Sequence, residues 1–141
     1  LNTSPYSDTI GRGLKVNKEE MLGLLVALQL YIKRDHAAEW KEWERRVATI
    51  QKAAEKLPSV TTSLDIPEIA NHTQHLSIQW DQQKIKMSPL DVKAKLLDGE
   101  PSIEACPRTN KDALWFTVWM LKPGETEIVA KRTAEILKSA V

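Results

Sequence analysis

One stretch decides the fold of this chain: Ile10-Gly-Arg-Gly-Leu-Lys-Val-Asn-Lys-Glu-Glu-Met-Leu-Gly-Leu-Leu-Val-Ala-Leu-Gln-Leu-Tyr31. Asn17, with Glu20 three residues later, has the pattern of a capping box, which predicts a helix that begins at about Lys18. From residue 21 to residue 32, apolar side chains cover nearly every face of this helix. A helix that is apolar all round is typical of a buried element, so we expect it to run through the interior of a domain.

A short basic loop precedes this helix. Arg12 and Lys15 lie there beside two glycines and the positive end of the helix, an arrangement that suits a phosphate or carboxylate. The Arg12 guanidinium would make a planar, bidentate contact with the anion, and the Lys15 ammonium would act as a point charge. A solvated basic loop explains the same residues, so both interpretations stay open. We find no complete catalytic set, no Walker loop and no dinucleotide fingerprint in the sequence.

The helix continues with a different character after Ile32. One apolar stripe follows on a charged background, which predicts a helix up to Pro58 with a single buried face: Trp40, Trp43, Val47, Ile50, Ala54 and Leu57. Glu42 and Arg46 are spaced to form an ion pair on this helix. An unbroken helix over residues 17–57 would be about 60 Å long, so we expect a bend near residues 33–36 or a projection from the domain.

The remainder alternates between strand and helix patterns. We predict strands at residues 60–66, 76–80 and 114–120, a short one at Ile103 and Ala105, and helices after Ser88 and after Gly124. The predicted fold class is α+β, a long N-terminal helix leading to a small, mostly antiparallel sheet with helices packed on it. The predicted domains are a lead-in and basic loop at 1–16, a linking helix at 17–57, and a small α+β domain at 58–141.

Composition narrows the classes of function. The 141 residues carry a formal net charge of +1, so a general nucleic-acid binder is not expected. The apolar run at 21–32 is too short to span a bilayer. The single cysteine, Cys106, fits a reducing, cytoplasmic compartment. His72 and His75 have an H-x-x-H spacing but no evident third ligand, so we predict no metal site. Because the chain begins with Leu1 rather than Met, we expect a piece of a longer protein.

Three segments carry a resemblance to a known family. Residues 10–28, the stretch Lys95-Leu-Leu-Asp-Gly-Glu-Pro-Ser-Ile103 and the stretch Leu121-Lys-Pro-Gly-Glu-Thr-Glu-Ile-Val129 occur in an order that resembles the selenocysteine-synthase-like family. These are pyridoxal-phosphate (PLP) enzymes of the aspartate-aminotransferase fold (fold type I), among them L-seryl-tRNA selenium transferase and D-glucosaminate-6-phosphate ammonia-lyase. Selenium transferases have Arg-x-x-Arg in the basic loop. Arg12 matches the first arginine and Lys15 replaces the second, as in the ammonia-lyase branch.

The resemblance implies a C-terminal portion of a PLP-dependent lyase or transferase that acts on an amino acid or amino sugar acid. The PLP lysine and the other PLP-binding residues would lie in an upstream large domain, so this chain alone would be inactive. Arg12 and Lys15 would bind the anionic group of the substrate, and a homodimer or higher homo-oligomer would be expected. The alternative is a non-catalytic interaction domain whose Trp40 and Trp43 dock a partner helix.

Overall fold

A computed structural model describes residues 16–68 and 72–141 of the chain. Contacts divide the chain into two compact units, Leu1–His36 and Ala37–Val141. Within the described residues, no helix is both long enough and apolar enough to cross a membrane. The domain boundaries predicted from the sequence, after residue 16 and after residue 57, stay a prediction.

The first unit contains helix α1 (Lys18–Lys33). The predicted capping box is confirmed, because Asn17 Oδ1 accepts from Glu20 N–H at 2.9 Å and Glu20 Oε2 accepts from Asn17 N–H at 3.0 Å. At the other end Arg34 is extended and its N–H bonds to the Tyr31 carbonyl, which ends the helix. A second helix starts only two residues later, at His36, so the helical stretch is interrupted at Arg34 and Asp35.

The expectation that α1 is buried is wrong for this chain. No residue of α1 is buried among the residues that the structure describes. Its large apolar side chains between Met21 and Ile32 are exposed by 46% to 72%. The sequence pattern shows only that the helix needs an apolar surrounding, and the described residues do not supply one.

In its described residues, the second unit contains helix α2 (His36–Ala54) from its second residue onward, and then three strands and two more helices. Along the chain these are β1 (Val60–Asp65), β2 (His75–Trp80), α3 (Pro89–Leu97), β3 (Leu114–Thr117) and α4 (Glu125–Lys138). The strands form one antiparallel sheet in the order β1-β2-β3. The predicted α+β class, with a small antiparallel sheet and packed helices, is confirmed.

One face of the sheet packs against α2, α3 and α4 and forms the hydrophobic core of the second unit with them. The apolar stripe of α2 reaches it as predicted, with Val47, Ile50 and Ala54 buried and Trp43 and Leu57 packed against them. The strand and α3 side chains at the centre are almost fully buried: Leu76, Ile78, Leu114, Val92 and Leu96. On α4 the buried side chains are Thr126, Val129, Ala130, Thr133, Ile136 and Leu137. Burial of this apolar surface is the main stabilising contribution to the unit.

Two strand predictions are corrected. Ile103 and Ala105 do not form a strand, because the Ile103 N–H bonds to the Leu96 carbonyl and prolines 101 and 107 on either side have no N–H to donate. The Cys106 N–H, which follows this segment, bonds to β3 at the Trp115 carbonyl.

The strand predicted to reach Met120 ends at Thr117. The chain turns at this point, where the Leu121 N–H bonds back to the Val118 carbonyl. Trp119 and Met120, which the sequence predicted to be part of the strand, lie beyond its end and are exposed.

Candidate functional site

The predicted anion ligands, Arg12 and Lys15, lie outside the residues that the structure describes. The described part of this site is the helix start that follows them. Asn17 and Glu20 use each other's backbone N–H groups in the capping box. Glu19 and Glu20 also place two carboxylates in the first turn of α1. These features reduce what the helix end can offer an anion, so binding there would depend mainly on the two cationic side chains.

The arginines of α2 form an ion-pair cluster around Glu42. Arg46 Nε donates to Glu42 Oε1 at 2.9 Å, which confirms the predicted pair, and Arg45 Nε donates to Glu42 Oε2 at 2.8 Å. Hydrogen bonds from Arg45 and then Arg46 lower the pKa of Glu42 to about 2. Arg45 also reaches Glu127 on α4, at 3.4 Å. The cluster links α2 to α4, and its two arginines have carboxylate partners within the chain.

Arg46 has a second set of partners. Its side chain is only 12% exposed, and its Nη1 donates to the carbonyls of Val118 and Leu121, where the chain turns after β3. A guanidinium can make these contacts together because its donors point in several fixed directions in one plane. This side chain is therefore a structural link between α2 and the β3–α4 connection.

Trp40 and Trp43, the basis of the alternative interpretation, form an edge-to-face pair. Their ring centroids are 5.9 Å apart, with an angle of 62° between the planes. The indole of Trp40 donates to Glu44 Oε1 at 2.9 Å, and its ring lies 6.4 Å from that of His72. Trp43 packs against the core. Both indoles are half-buried, so much of the surface needed for a partner is already in contact with the chain itself.

The two histidines of the H-x-x-H pair have different environments. His75 is buried on β2, whereas His72 is exposed and its Nδ1 lies 3.0 Å from the Pro67 carbonyl. No group of three His, Cys, Asp or Glu residues that could hold a metal ion occurs in the described ranges 16–68 and 72–141. Cys106 is a free, half-buried thiol.

A cavity of about 240 Å³ lies in the second unit. The sequence did not indicate it, because its walls come from α2, β3, α4 and the loop before residue 105, which are far apart along the chain. Two carboxylates, Glu104 and Glu125, stand among otherwise largely apolar walls, and Glu125 accepts from the Lys122 N–H at 2.7 Å. The apolar lining consists of Ile50, Ile103, Phe116, Leu121, Ile128 and Val129.

No family model and no curated protein sequence matches the chain. Among solved structures, that of D-glucosaminate-6-phosphate ammonia-lyase matches with a TM-score of 0.65 and 21% sequence identity. The match covers 92% of this chain and 34% of the enzyme, so the chain spans about a third of the length of that structure. The chain therefore has the fold of the part of D-glucosaminate-6-phosphate ammonia-lyase that it covers, which confirms the family resemblance of its sequence at the level of the fold.

Proposed function

We propose that the chain is the C-terminal, small-domain portion of a PLP-dependent lyase or transferase. The observation that carries the proposal is the extent of the structural match, nearly all of this chain against one third of a lyase. The exposed, all-round apolar helix α1 supports it independently, because such a helix is stable in water only when a larger body covers it. The upstream PLP-binding domain is the proposed covering body.

In the intact enzyme, PLP would withdraw electrons from an amino substrate bonded to it. The proposed substrate is an amino acid or an amino sugar acid with an anionic group. Arg12 and Lys15 would bind that anionic group and thereby fix the orientation of the reacting carbon. No catalytic residue is assigned to this chain, which alone would be inactive. We also propose a homodimer or higher homo-oligomer and a cytoplasmic location, the latter in keeping with the single free cysteine, Cys106.

The test uses the product of the complete reading frame, loaded with PLP and supplied with amino acids and amino sugar acids. We expect one of these substrates to be consumed, with ammonia release distinguishing a lyase from a transferase. Arg12→Ala should lower kcat/KM by an amount equivalent to about 2–4 kcal/mol, the usual effect of removing one partner of a buried charge pair. Arg12→Lys should also be damaging, because an ammonium cannot reproduce the planar fork.

Lys15→Ala should have a smaller effect than Arg12→Ala, and Lys18→Ala provides a matched control at an exposed lysine nearby. The thermal midpoint of each variant is measured beside its kcat/KM. An unchanged kcat/KM in Arg12→Ala would show that the loop is only a solvated turn. Failure of the complete protein to act on any amino substrate would instead favour the alternative interaction domain built around Trp40 and Trp43.

A further inference from the structure

The sheet has a second face, opposite the core, and this face is polar. The register of the strands places its side chains in rows across the sheet. One row consists of Asp65 on β1, His75 on β2 and Thr117 on β3, and the next row of Ser63, Ser77 and Trp115. Side chains of neighbouring strands in one row are about 5 Å apart at Cβ, and diagonal neighbours are within reach of long side chains.

Three side chains in these rows have polar atoms that are both buried and without a hydrogen-bond partner. His75 is 9% exposed and Ser77 is 1% exposed. Within residues 16–68 and 72–141, both ring nitrogens of His75, the Ser77 hydroxyl and the Trp115 indole nitrogen form no hydrogen bond. Since nine-tenths or more of buried polar groups in proteins are hydrogen-bonded, three unsatisfied side chains at adjacent positions indicate a missing partner.

Arg108 covers this part of the sheet. Its Nη1 forms an ion pair with Asp65, and its guanidinium carbon lies 4.0 Å from the centroid of the Trp115 ring. Asp65 is on one edge strand and Trp115 on the other, so a guanidinium that contacts both spans the central strand, on the face that carries His75 and Ser77.

The loop that carries Arg108 is held against β3. The Cys106 N–H donates to the Trp115 carbonyl at 2.9 Å, and the Trp115 N–H donates to Thr109 Oγ1 at 3.0 Å. The Thr109 N–H in turn donates to the Cys106 carbonyl at 3.0 Å, which closes the turn around residues 106–109. These bonds hold the backbone that carries Arg108 against β3 before any ligand is present, and such preorganisation favours binding.

The groups gathered here are mainly donors. The guanidinium has five N–H groups, the indole has one, the hydroxyl has one, and a neutral imidazole has one in either tautomer. The Asp65 carboxylate is the charged acceptor among the groups named here, and its ion pair with Arg108 is at the surface, with side chains 43% and 46% exposed. Exposed ion pairs contribute little to stability, so Asp65 can be exchanged for another acceptor at low cost.

We propose that Arg108, His75, Ser77 and Trp115 form an oxyanion site, in which the carboxylate or phosphate group of a small molecule replaces Asp65 as the partner of Arg108. The ligand's oxygens accept from the guanidinium, the indole, the hydroxyl and the imidazole N–H, so each of the three unsatisfied side chains gains an acceptor for its donor. The proposed site uses neither Arg12 nor Lys15, so it does not rest on the proposed function.

The test is a titration of the 141-residue chain, labelled with ¹⁵N, with inorganic phosphate and separately with acetate. Ionic strength is held constant with sodium chloride. The indole N–H resonance of Trp115 is assigned by its loss in Trp115→Phe. We expect this resonance to shift and saturate with at least one anion, and the comparison of the two titrations identifies phosphate or carboxylate as the preferred group.

Arg108→Gln should raise the Kd at least about tenfold. Arg45→Gln is the matched control, because Arg45 is also a half-exposed arginine paired with a carboxylate, and it should leave the Kd unchanged. Asp65→Asn should lower the Kd, since it removes the competing carboxylate. This variant keeps the test decisive if Arg108→Gln does not fold. Absence of a saturable shift with either anion, or a Kd that rises in Asp65→Asn, would overturn the proposal and leave the cluster as a site for water only.

Discussion

Replacing Arg46 with methionine should destabilise the second unit. Methionine keeps most of the apolar contact of the side chain but removes the donors to the carbonyls of Val118 and Leu121. The Val118 carbonyl keeps the Leu121 N–H as a partner, at 3.2 Å, so the larger loss falls on the Leu121 carbonyl. A hydrogen bond from a charged donor contributes about 1.5–3 kcal/mol, so we expect a loss of about 2–3 kcal/mol in the free energy of unfolding.

The assay is urea unfolding followed by tryptophan fluorescence, with a thermal scan in parallel. For a chain of this length, the expected loss corresponds to a fall in Tm of about 8–12 °C. Arg45→Met is the matched control, because Arg45 shares Glu42 as a partner but has a side chain that is 52% exposed. Arg45→Met should lower the free energy of unfolding much less, since the ion pairs of Arg45 are exposed to water and screened by it. If the two variants lose equal stability, the buried carbonyl contacts of Arg46 do not hold the β3–α4 connection and the reasoning is refuted.

Three further predictions concern α1, the cap of α3 and the core. The isolated chain should self-associate through α1, and Leu25→Glu should shift sedimentation toward the monomer; a monomeric wild-type chain at micromolar concentration would contradict this. Hydrogen bonds from Ser88 lower the pKa of Asp91, so the contribution of this carboxylate is full above its unfolded-state pKa and is lost as pH falls through its lower folded-state pKa. Asp91→Asn should therefore weaken the dependence of stability on pH as the pH falls below the usual Asp pKa of about 3.9, whereas an unchanged dependence would show that the cap makes no charge-linked contribution. Leu96→Ala should cost about 2–5 kcal/mol by urea unfolding, because the side chain is almost fully buried, and a loss below about 1 kcal/mol would mean that the site collapses around the smaller residue.

Features that depend on local spacing could be predicted from the sequence. Both capping boxes, at Asn17 and at Ser88, are present because their partners are three residues away and the bonds form within one turn. The apolar stripe of α2 and the first two strands were predicted for the same reason, since their periodicities show directly which side chains share a face.

Features that depend on distant parts of the chain could not be predicted. The strand expected at Ile103 fails because its N–H bonds to the end of α3 instead of a neighbouring strand. The side-chain cluster on the polar face of the sheet could not be predicted, because it includes an ion pair between Arg108 and Asp65, which lies 43 residues earlier in the chain. Nothing in the spacing of these two residues indicates their contact, which is set by the register of the sheet and by the turn at residues 106–109. The burial expected for α1 failed because an apolar pattern indicates the need for a cover but not which residues provide it.

The central claim is that this chain is part of a PLP enzyme whose PLP lysine lies outside it. The most direct measurement treats the product of the complete reading frame with PLP and borohydride, followed by peptide mass spectrometry, with the 141-residue chain treated in parallel. We expect PLP to be fixed stoichiometrically to one lysine upstream of these 141 residues, whereas the 141-residue chain retains none specifically. Fixation to one specific lysine within the 141 residues, or no fixation in the complete protein, would contradict it.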